Sequence, residues 1–185
     1  MSLRIYGNRP LKTLPGKETR PTSARVREAI FNIWQNTIVG CRWLDVCAGT
    51  GSMGAEALCR GADLVVGIEQ SSRACVIIQQ NWQLVASGEQ KFQLLRGNVL
   101  QCLPKLKGQQ FDKIYFDPPY ASGLYQPTLE AIAHYQLLDS TGEIAVEHSS
   151  QEWTPIDIPS WEICREKLYG NTAVTFYKTV NEDRE

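Results

Sequence analysis

"CRWLDVCAGTGSMGAEALCRGADLVVGIE", Cys41 to Glu69, decides the fold. "CRWLDVC" reads as a buried strand and a glycine turn follows it. "SMGAEALCRGA" reads as a helix ending at Gly61, and "DLVVGIE" as a second strand. Downstream the alternation repeats. "SSRACVIIQQNWQLVAS" is a helix capped by Ser71 or Ser72, and "KFQLLRGNV" and "FDKIYFD" are strands. "LYQPTLEAIAHYQLL" is a helix with Pro127 in its early turns, and "GEIAVEHS" is the next strand. Such a chain is expected to form an α/β sheet with mostly parallel central strands and helices on both faces. The tail breaks the pattern: "WEICREKLYGNTAVTFYK" holds two β-rich runs around "YGN", the signature of an antiparallel hairpin.

Upstream, "LRIYG" starts extended and a Pro/Gly-punctuated stretch runs to Pro21. "TSARVREAIFNIWQNTI" then sets Val26, Ile30, Ile33 and Trp34 at helical spacing, with Thr22 or Ser23 as cap. Residues 1–40 are read as a small basic extension of short strands plus a helix, and residues 41–185 as the main domain. At 185 residues and 43% hydrophobic content, the chain has room for one sizeable core. Its net charge of -1 hides an asymmetry. Seven Lys/Arg (Arg4, Arg9, Lys12, Lys17, Arg20, Arg25, Arg27) stand against Glu18 and Glu28 in the first forty residues, a net of +5. A basic arm on an acidic body suits a polyanionic partner.

The six cysteines show no metal-ligand spacing and read as buried free thiols, with no metal expected. No segment approaches the roughly 20 apolar residues of a membrane span, and "MSLRIYGNRPLK" has no apolar signal region, so a reducing cytoplasmic setting is expected.

Gly49, Gly51 and Gly54 satisfy the GxGxxG spacing of a dinucleotide loop, and Glu69 ends the next strand, where a carboxylate accepts from ribose hydroxyls. Both features are shared by dinucleotides and S-adenosylmethionine. Asp45 separates them. A pyrophosphate opposite this carboxylate at about 4–6 Å costs on the order of 3 kcal/mol at an effective dielectric near 20. The same charge suits an ammonium and a sulfonium. The cofactor contacts are therefore expected from Asp45, Ala48, Gly49, Thr50, Gly51, Gly54 and Glu69, unless Asp45 only caps the turn. Asn98 and Val99, after the third strand of the repeat, are placed to read adenine, although Asn98 is equally suited to cap a helix.

Asp117-Pro118-Pro119-Tyr120 is the most specific signal, arising by chance in roughly one chain in a thousand of this length. The prolines stiffen the turn after a strand. The Asp117 carboxylate and the Pro118 carbonyl can accept from the two protons of an amino group conjugated to a ring, and Tyr120 offers a stacking face. The implied chemistry is in-line methyl transfer to that nitrogen. His134 reads as a helix-surface residue and His148 as a strand-end one, neither of them catalytic.

"LDVCAGTGSMGAEALCRGA", the acid at Glu69 and "FDPPY" resemble a class I methyltransferase that acts on amino groups. "RIYG...LPGKETRPTSARVREAIFNIW" resembles, more narrowly, the RsmD family of ribosomal RNA guanine-N2 methyltransferases. The resemblance spans Arg4 to about Glu147 and departs at Ala24 and Asn98, where acids are common, and in a short arm, "GNRPLKTLPG". It implies a Rossmann-like seven-stranded sheet and S-adenosylmethionine held by the Gly49–Gly54 loop with its ribose on Glu69. It also implies methylation of a guanine amino group in 16S ribosomal RNA, on a partly or fully assembled small subunit, by a monomer. RNA contacts are expected from Arg4, Arg9, Lys12, Lys17, Arg20 and Arg25. The alternatives weighed are adenine N6 in nucleic acid, a protein glutamine, a nicotinamide-dependent oxidoreductase and a binding-only protein.

Overall fold

The computed structural model describes residues 3–14 and 23–180; Lys17, Arg20 and Thr22 lie outside them. Strands β1 (Leu3–Ile5) and β2 (Arg9–Leu11) form a small antiparallel pair ahead of α1 (Ala24–Ile33). The main alternation follows: β3 (Arg42–Val46), α2 (Ser52–Cys59), β4 (Leu64–Glu69), α3 (Ser72–Val85), β5 (Lys91–Arg96), α4 (Val99–Cys102), β6 (Phe111–Phe116), α5 (Tyr125–His134) and β7 (Leu138–Ser149). The chain ends in the hairpin of β8 (Trp161–Tyr169) and β9 (Thr172–Thr179).

Seven strands lie in the order β5-β4-β3-β6-β7-β9-β8. The first five are parallel, and β9 enters antiparallel between β7 and β8. This is the expected α/β sheet with its C-terminal hairpin. Strand order reverses between β3 and β6, so a crevice opens at their carboxyl ends, where such sheets bind ligands.

Strand alternation divides the core between two faces. Trp43, Val65, Tyr115, Val174 and Phe176 pack with α1, α2 and α3, and Leu44, Val66, Ile68, Ile114 and Phe116 with α4 and α5. The N-terminal segment shares the first layer. Phe31 stacks on Trp43 at 5.1 Å between centroids, and Trp34 meets Trp43 and Phe176 edge-on, each at 5.6 Å. Of the two candidate caps, Ser23 is the one observed, its Oγ accepting from Val26 N–H at 3.2 Å. Ser71 does the same for α3, accepting from Ala74 N–H at 3.3 Å.

Three readings need correction. The helix read through Leu138 ends at His134, because Gln136 turns left-handed (φ 53) and Leu138 already belongs to β7. Arg27, counted toward the basic arm, is 2% exposed and ion-paired with Glu56 at 2.6 Å, so it adds nothing to a basic surface. Among the free cysteines Cys41 and Cys102 are buried, Cys47, Cys59 and Cys75 half-buried, and Cys164 exposed, so the thiols are buried only in part. Among the described residues no helix is long and apolar enough to cross a membrane.

Candidate active site

The glycine loop joins β3 to α2 at the crevice, and its three glycines do different work. A Cβ on Gly49 (φ +58) would meet nothing within 4 Å, so this position faces open space. Gly51 (φ +71) and Gly54 instead make room for Trp82 of α3. Added Cβ atoms there would stand 2.9 Å from Trp82 Nε1 and 2.6 Å from Trp82 Cζ2. The indole N–H donates to the Gly51 carbonyl at 2.8 Å and holds the loop from behind. Asn81, one residue earlier, donates to the carbonyls of Thr50 (3.2 Å) and Lys12 (3.0 Å) and accepts from Lys12 N–H (2.9 Å). The end of β2 is thereby fastened to the loop. No local pattern in the sequence marks Asn81 or Trp82, because their partners lie on other elements.

Gly54→Ala is expected to cost about 1–3 kcal/mol, because the indole cannot yield between α2 and β4. At about 2–4 °C per kcal/mol for a domain of this size, thermal unfolding checks it. An unchanged midpoint would mean that Trp82 moves freely.

Four acidic side chains gather at the crevice. Asp45 is 1% exposed and its Oδ2 accepts from Gly54 N–H at 3.1 Å, so it does cap α2. Burial pushes its carboxyl up to about 8, the Gly54 N–H opposing and Glu69 adding to the rise. Glu69 Oε2 accepts from Gly49 N–H at 2.9 Å and Oε1 from Ser71 N–H at 2.7 Å, which fixes the carboxylate beside the loop. Asp117 follows β6 directly. Because Phe116 pairs with Val146, the next step of the parallel register sets Asp117 beside Glu147 on β7. Burial raises the Asp117 carboxyl well above the usual range, as do Glu147 and Asp45, while a hydrogen bond from Tyr115 opposes the rise. Tyr115 Oη also lies 2.5 Å from Glu147 Oε2, so the two carboxyl groups share its one hydroxyl proton. Glu147 and Tyr115 were not singled out from the sequence, since a partner one strand away leaves no trace in local spacing.

Around this cluster Tyr125 Oη donates to the Glu147 carbonyl at 3.2 Å, and its ring stacks on Trp153 at 4.5 Å. Pro118 is buried, whereas Tyr120 is 38% exposed with its hydroxyl 3.5 Å from Thr172 Oγ1. Val99 is buried, and Asn98 is exposed and caps α4, its Oδ1 accepting from Leu100 N–H at 2.9 Å. His134 is exposed on α5. His148 is buried between Thr175 Oγ1 (2.9 Å) and the Ser149 carbonyl (3.1 Å), and burial lowers its pKa, which keeps the ring neutral.

The candidate RNA residues separate. Lys12 lies beside the loop through Asn81, and the Arg25 guanidinium sits 5.7 Å over the Tyr169 ring, near Tyr120. Arg4 folds onto the Asn8 carbonyl at 2.9 Å, and Arg9 reaches Cys59 Sγ at 3.5 Å. Cys59 is the last residue of α2, a helix about 12 Å long, so Arg9 belongs to the end away from the crevice.

The family described as Conserved hypothetical protein 95 matches residues 3–178. The chain is 30% identical to Ribosomal RNA small subunit methyltransferase D of Escherichia coli (strain K12), over 95% of this chain and 89% of that one. The chain belongs to the RsmD family of S-adenosylmethionine-dependent methyltransferases. It is also 31% identical to YlbH of Bacillus subtilis, covering 92% and 93% of the two chains. The solved structure of the Escherichia coli protein yhhF matches this RsmD-family fold with a TM-score of 0.83 at 30% identity, over 97% of this chain and 98% of that one.

The crevice of this RsmD-family chain suits the cofactor on chemical grounds. Asp45, Glu69 and Asp117 converge around Cys47, whose thiol is pushed up by burial and then by these same three acids. An open glycine, a fixed Glu69 carboxylate and crowded carboxyls that a neighbouring cation would help to ionise favour a cationic nucleoside and disfavour a pyrophosphate.

Proposed function

We propose that this RsmD-family protein methylates the exocyclic N2 of a guanine in small-subunit ribosomal RNA. The observation that carries the reading is Asp117-Pro118-Pro119-Tyr120 at the carboxyl end of β6, alongside the glycine loop of β3 across the switch point of the sheet. The name of the Escherichia coli relative, a small-subunit ribosomal RNA methyltransferase, supports the substrate.

S-adenosylmethionine, when bound, supplies a methyl group on a sulfonium that leaves as a neutral thioether. Glu69 would accept from its ribose hydroxyls with the lone pairs left by Gly49 and Ser71. Ala48, Gly49, Thr50, Gly51 and Gly54 would line it, and Asp45 would face its positive charge. Asn98 and Val99 would read the adenine edge, although the Asn98 oxygen already serves α4.

On the acceptor side, the Asp117 carboxylate and Pro118 carbonyl would accept hydrogen bonds from the two amino protons and return electron density to the nitrogen, while Tyr120 stacks on the base. Placement of this kind supplies roughly 7–11 kcal/mol of barrier reduction. Once the nitrogen has been alkylated, Asp117 would take one proton from it. The raised proton affinity conferred by burial, Glu147 and Asp45 suits that role, and the Tyr115 hydroxyl spans Asp117 and Glu147 to spread the charge.

The test is transfer of labelled methyl to unmodified small subunits, with digestion to nucleosides. Label in N2-methylguanosine supports the reading. Label in N6-methyladenosine, in DNA or in a protein glutamine would replace it.

Asp45 gives a separate prediction about binding. Its carboxyl is protonated below about 8 in the free protein, whereas a cationic cofactor favours the carboxylate. Binding should therefore release a proton, and affinity should rise about tenfold per pH unit and level off above that value. Calorimetry in buffers of different ionisation enthalpy reads the proton directly. A pH-independent affinity, equal in Asp45→Asn, would refute a role for Asp45 in cofactor binding.

A further inference from the structure

We propose that one face of edge strand β8, carrying Arg165 and Lys167, is a phosphate-binding track that leads substrate RNA to Tyr120. The proposal rests on the reading of this chain as an RNA methyltransferase and adds a contact surface outside the N-terminal arm.

Its basis is an irregularity in the β8–β9 ladder. Trp161, Glu162 and Ile163 pair with Thr179, Lys178 and Tyr177, but the next pairing is Arg165 with Phe176, leaving Cys164 as the extra residue of a bulge. A shift of one residue exchanges the faces of every side chain beyond it. Phe176 and Val174 belong to the layer under α1, so their partners Arg165 and Lys167 share the α1 side. Glu166 and Leu168, opposite Thr175 and Ala173, fall on the other side. Glu166 lies close enough to affect His148 and Tyr177 electrostatically, in agreement with that placement. An unbroken ladder would have put Glu166 on the α1 side and the two cations behind the sheet.

The bulge therefore sorts charge. On the α1 side the lower end of β8 is neutral, since Glu162 pairs with Lys178 at 3.0 Å. Above it stand Arg165, 5.6 Å over the Phe176 ring, and Lys167, both exposed. Next come Tyr169 and Arg25, whose guanidinium covers the Tyr169 ring. Tyr169 pairs with Thr172, and Thr172 Oγ1 lies 3.5 Å from the Tyr120 hydroxyl. Among the described residues Arg25, Arg165 and Lys167 have no acidic partner within ion-pair distance. Successive cations on one strand face stand about 7 Å apart, a spacing that lets each meet a different phosphate. A row of unneutralised cations ending at the stacking residue of the active site fits a polyanion better than a protein surface, because the strand offers few apolar groups there.

The test is binding of a small-subunit RNA fragment, read by fluorescence anisotropy across a salt series, for the full chain and two variants. Neutralising both phosphates contacted should be worth about 1.4–1.8 in the slope of log affinity against log salt. Arg165→Gln/Lys167→Gln is expected to lose that much slope, and to raise KM for the subunit without lowering kcat. Glu166→Gln, on the opposite face, should leave the slope unchanged. An unchanged slope in the double variant, with wild-type unfolding, overturns the track. Wild-type protein that binds the fragment without salt dependence would instead overturn the RNA reading itself, so the two failures are distinguishable.

Discussion

Asp117→Ala is expected to lower methyl transfer by at least about 10²–10³-fold while cofactor affinity survives, because in the proposed mechanism the carboxylate meets the acceptor nitrogen and only borders the cofactor loop. Stability should not fall with activity. Asp117 is half-buried beside Glu147 and Asp45, and its removal relieves like-charge crowding. The native enzyme should lose activity on the acid side at a pH above the ordinary aspartate range, since burial and these two neighbours hold the proton on Asp117. Steady-state rates on unmodified subunits, with a separate cofactor titration and a melting curve, check all of this together. A variant that keeps most of its kcat would remove Asp117 from the chemistry. Loss of cofactor binding in parallel would move it to the cofactor side.

The largest effect on stability is expected far from the chemistry. Arg27 Nε meets Glu56 Oε2 at 2.6 Å, Arg27 Nη2 donates to the Arg4 carbonyl at 2.6 Å, and both side chains are almost wholly buried. Arg60 holds the other Glu56 oxygen at 2.8 Å. The cluster ties α1 and β1 to α2, the helix that opens from the glycine loop. Arg27→Ala leaves a buried carboxylate half-paired and a carbonyl without its donor, a loss of about 3–5 kcal/mol. At about 2–4 °C per kcal/mol that is a fall of roughly 6–20 °C in Tm. Arg25→Ala, two residues earlier on α1 and exposed, should change stability by no more than about 0.5 kcal/mol. Calorimetric unfolding of the two variants side by side decides the matter, and equal midpoints would show that the pair contributes nothing.

The sheet was legible in the sequence because its signals are local. A strand buried on both faces is an apolar run, as at "RWLDV", and a helix between strands announces itself by spacing and by a cap such as Ser71. The hairpin was legible from "YGN". The helix end at His134 was not, since "YQLL" is apolar enough to continue a helix, and only the burial of Leu137 and Leu138 beside the sheet favours the left-handed turn at Gln136.

The candidate site was half legible for the same reason. Asp45, Glu69 and Asp117 stand at strand ends, positions the alternation predicts. Their electrostatic coupling, and the contact of Asp117 with Tyr115 and Glu147, depend on which strands are neighbours. The GxGxxG spacing does not reveal that a side chain on Gly51 or Gly54 would meet Trp82, whereas Gly49 faces open space. Arg27 shows the reverse error, a residue counted as surface charge whose partner is twenty-nine positions away.

Mass mapping of ribosomal RNA from cells lacking this protein tests the assignment most directly. One N2-methylguanosine of the small-subunit RNA should be missing, and should return when the intact protein, but not Asp117→Ala, is supplied. Small-subunit RNA with every methylated guanine still in place would contradict it.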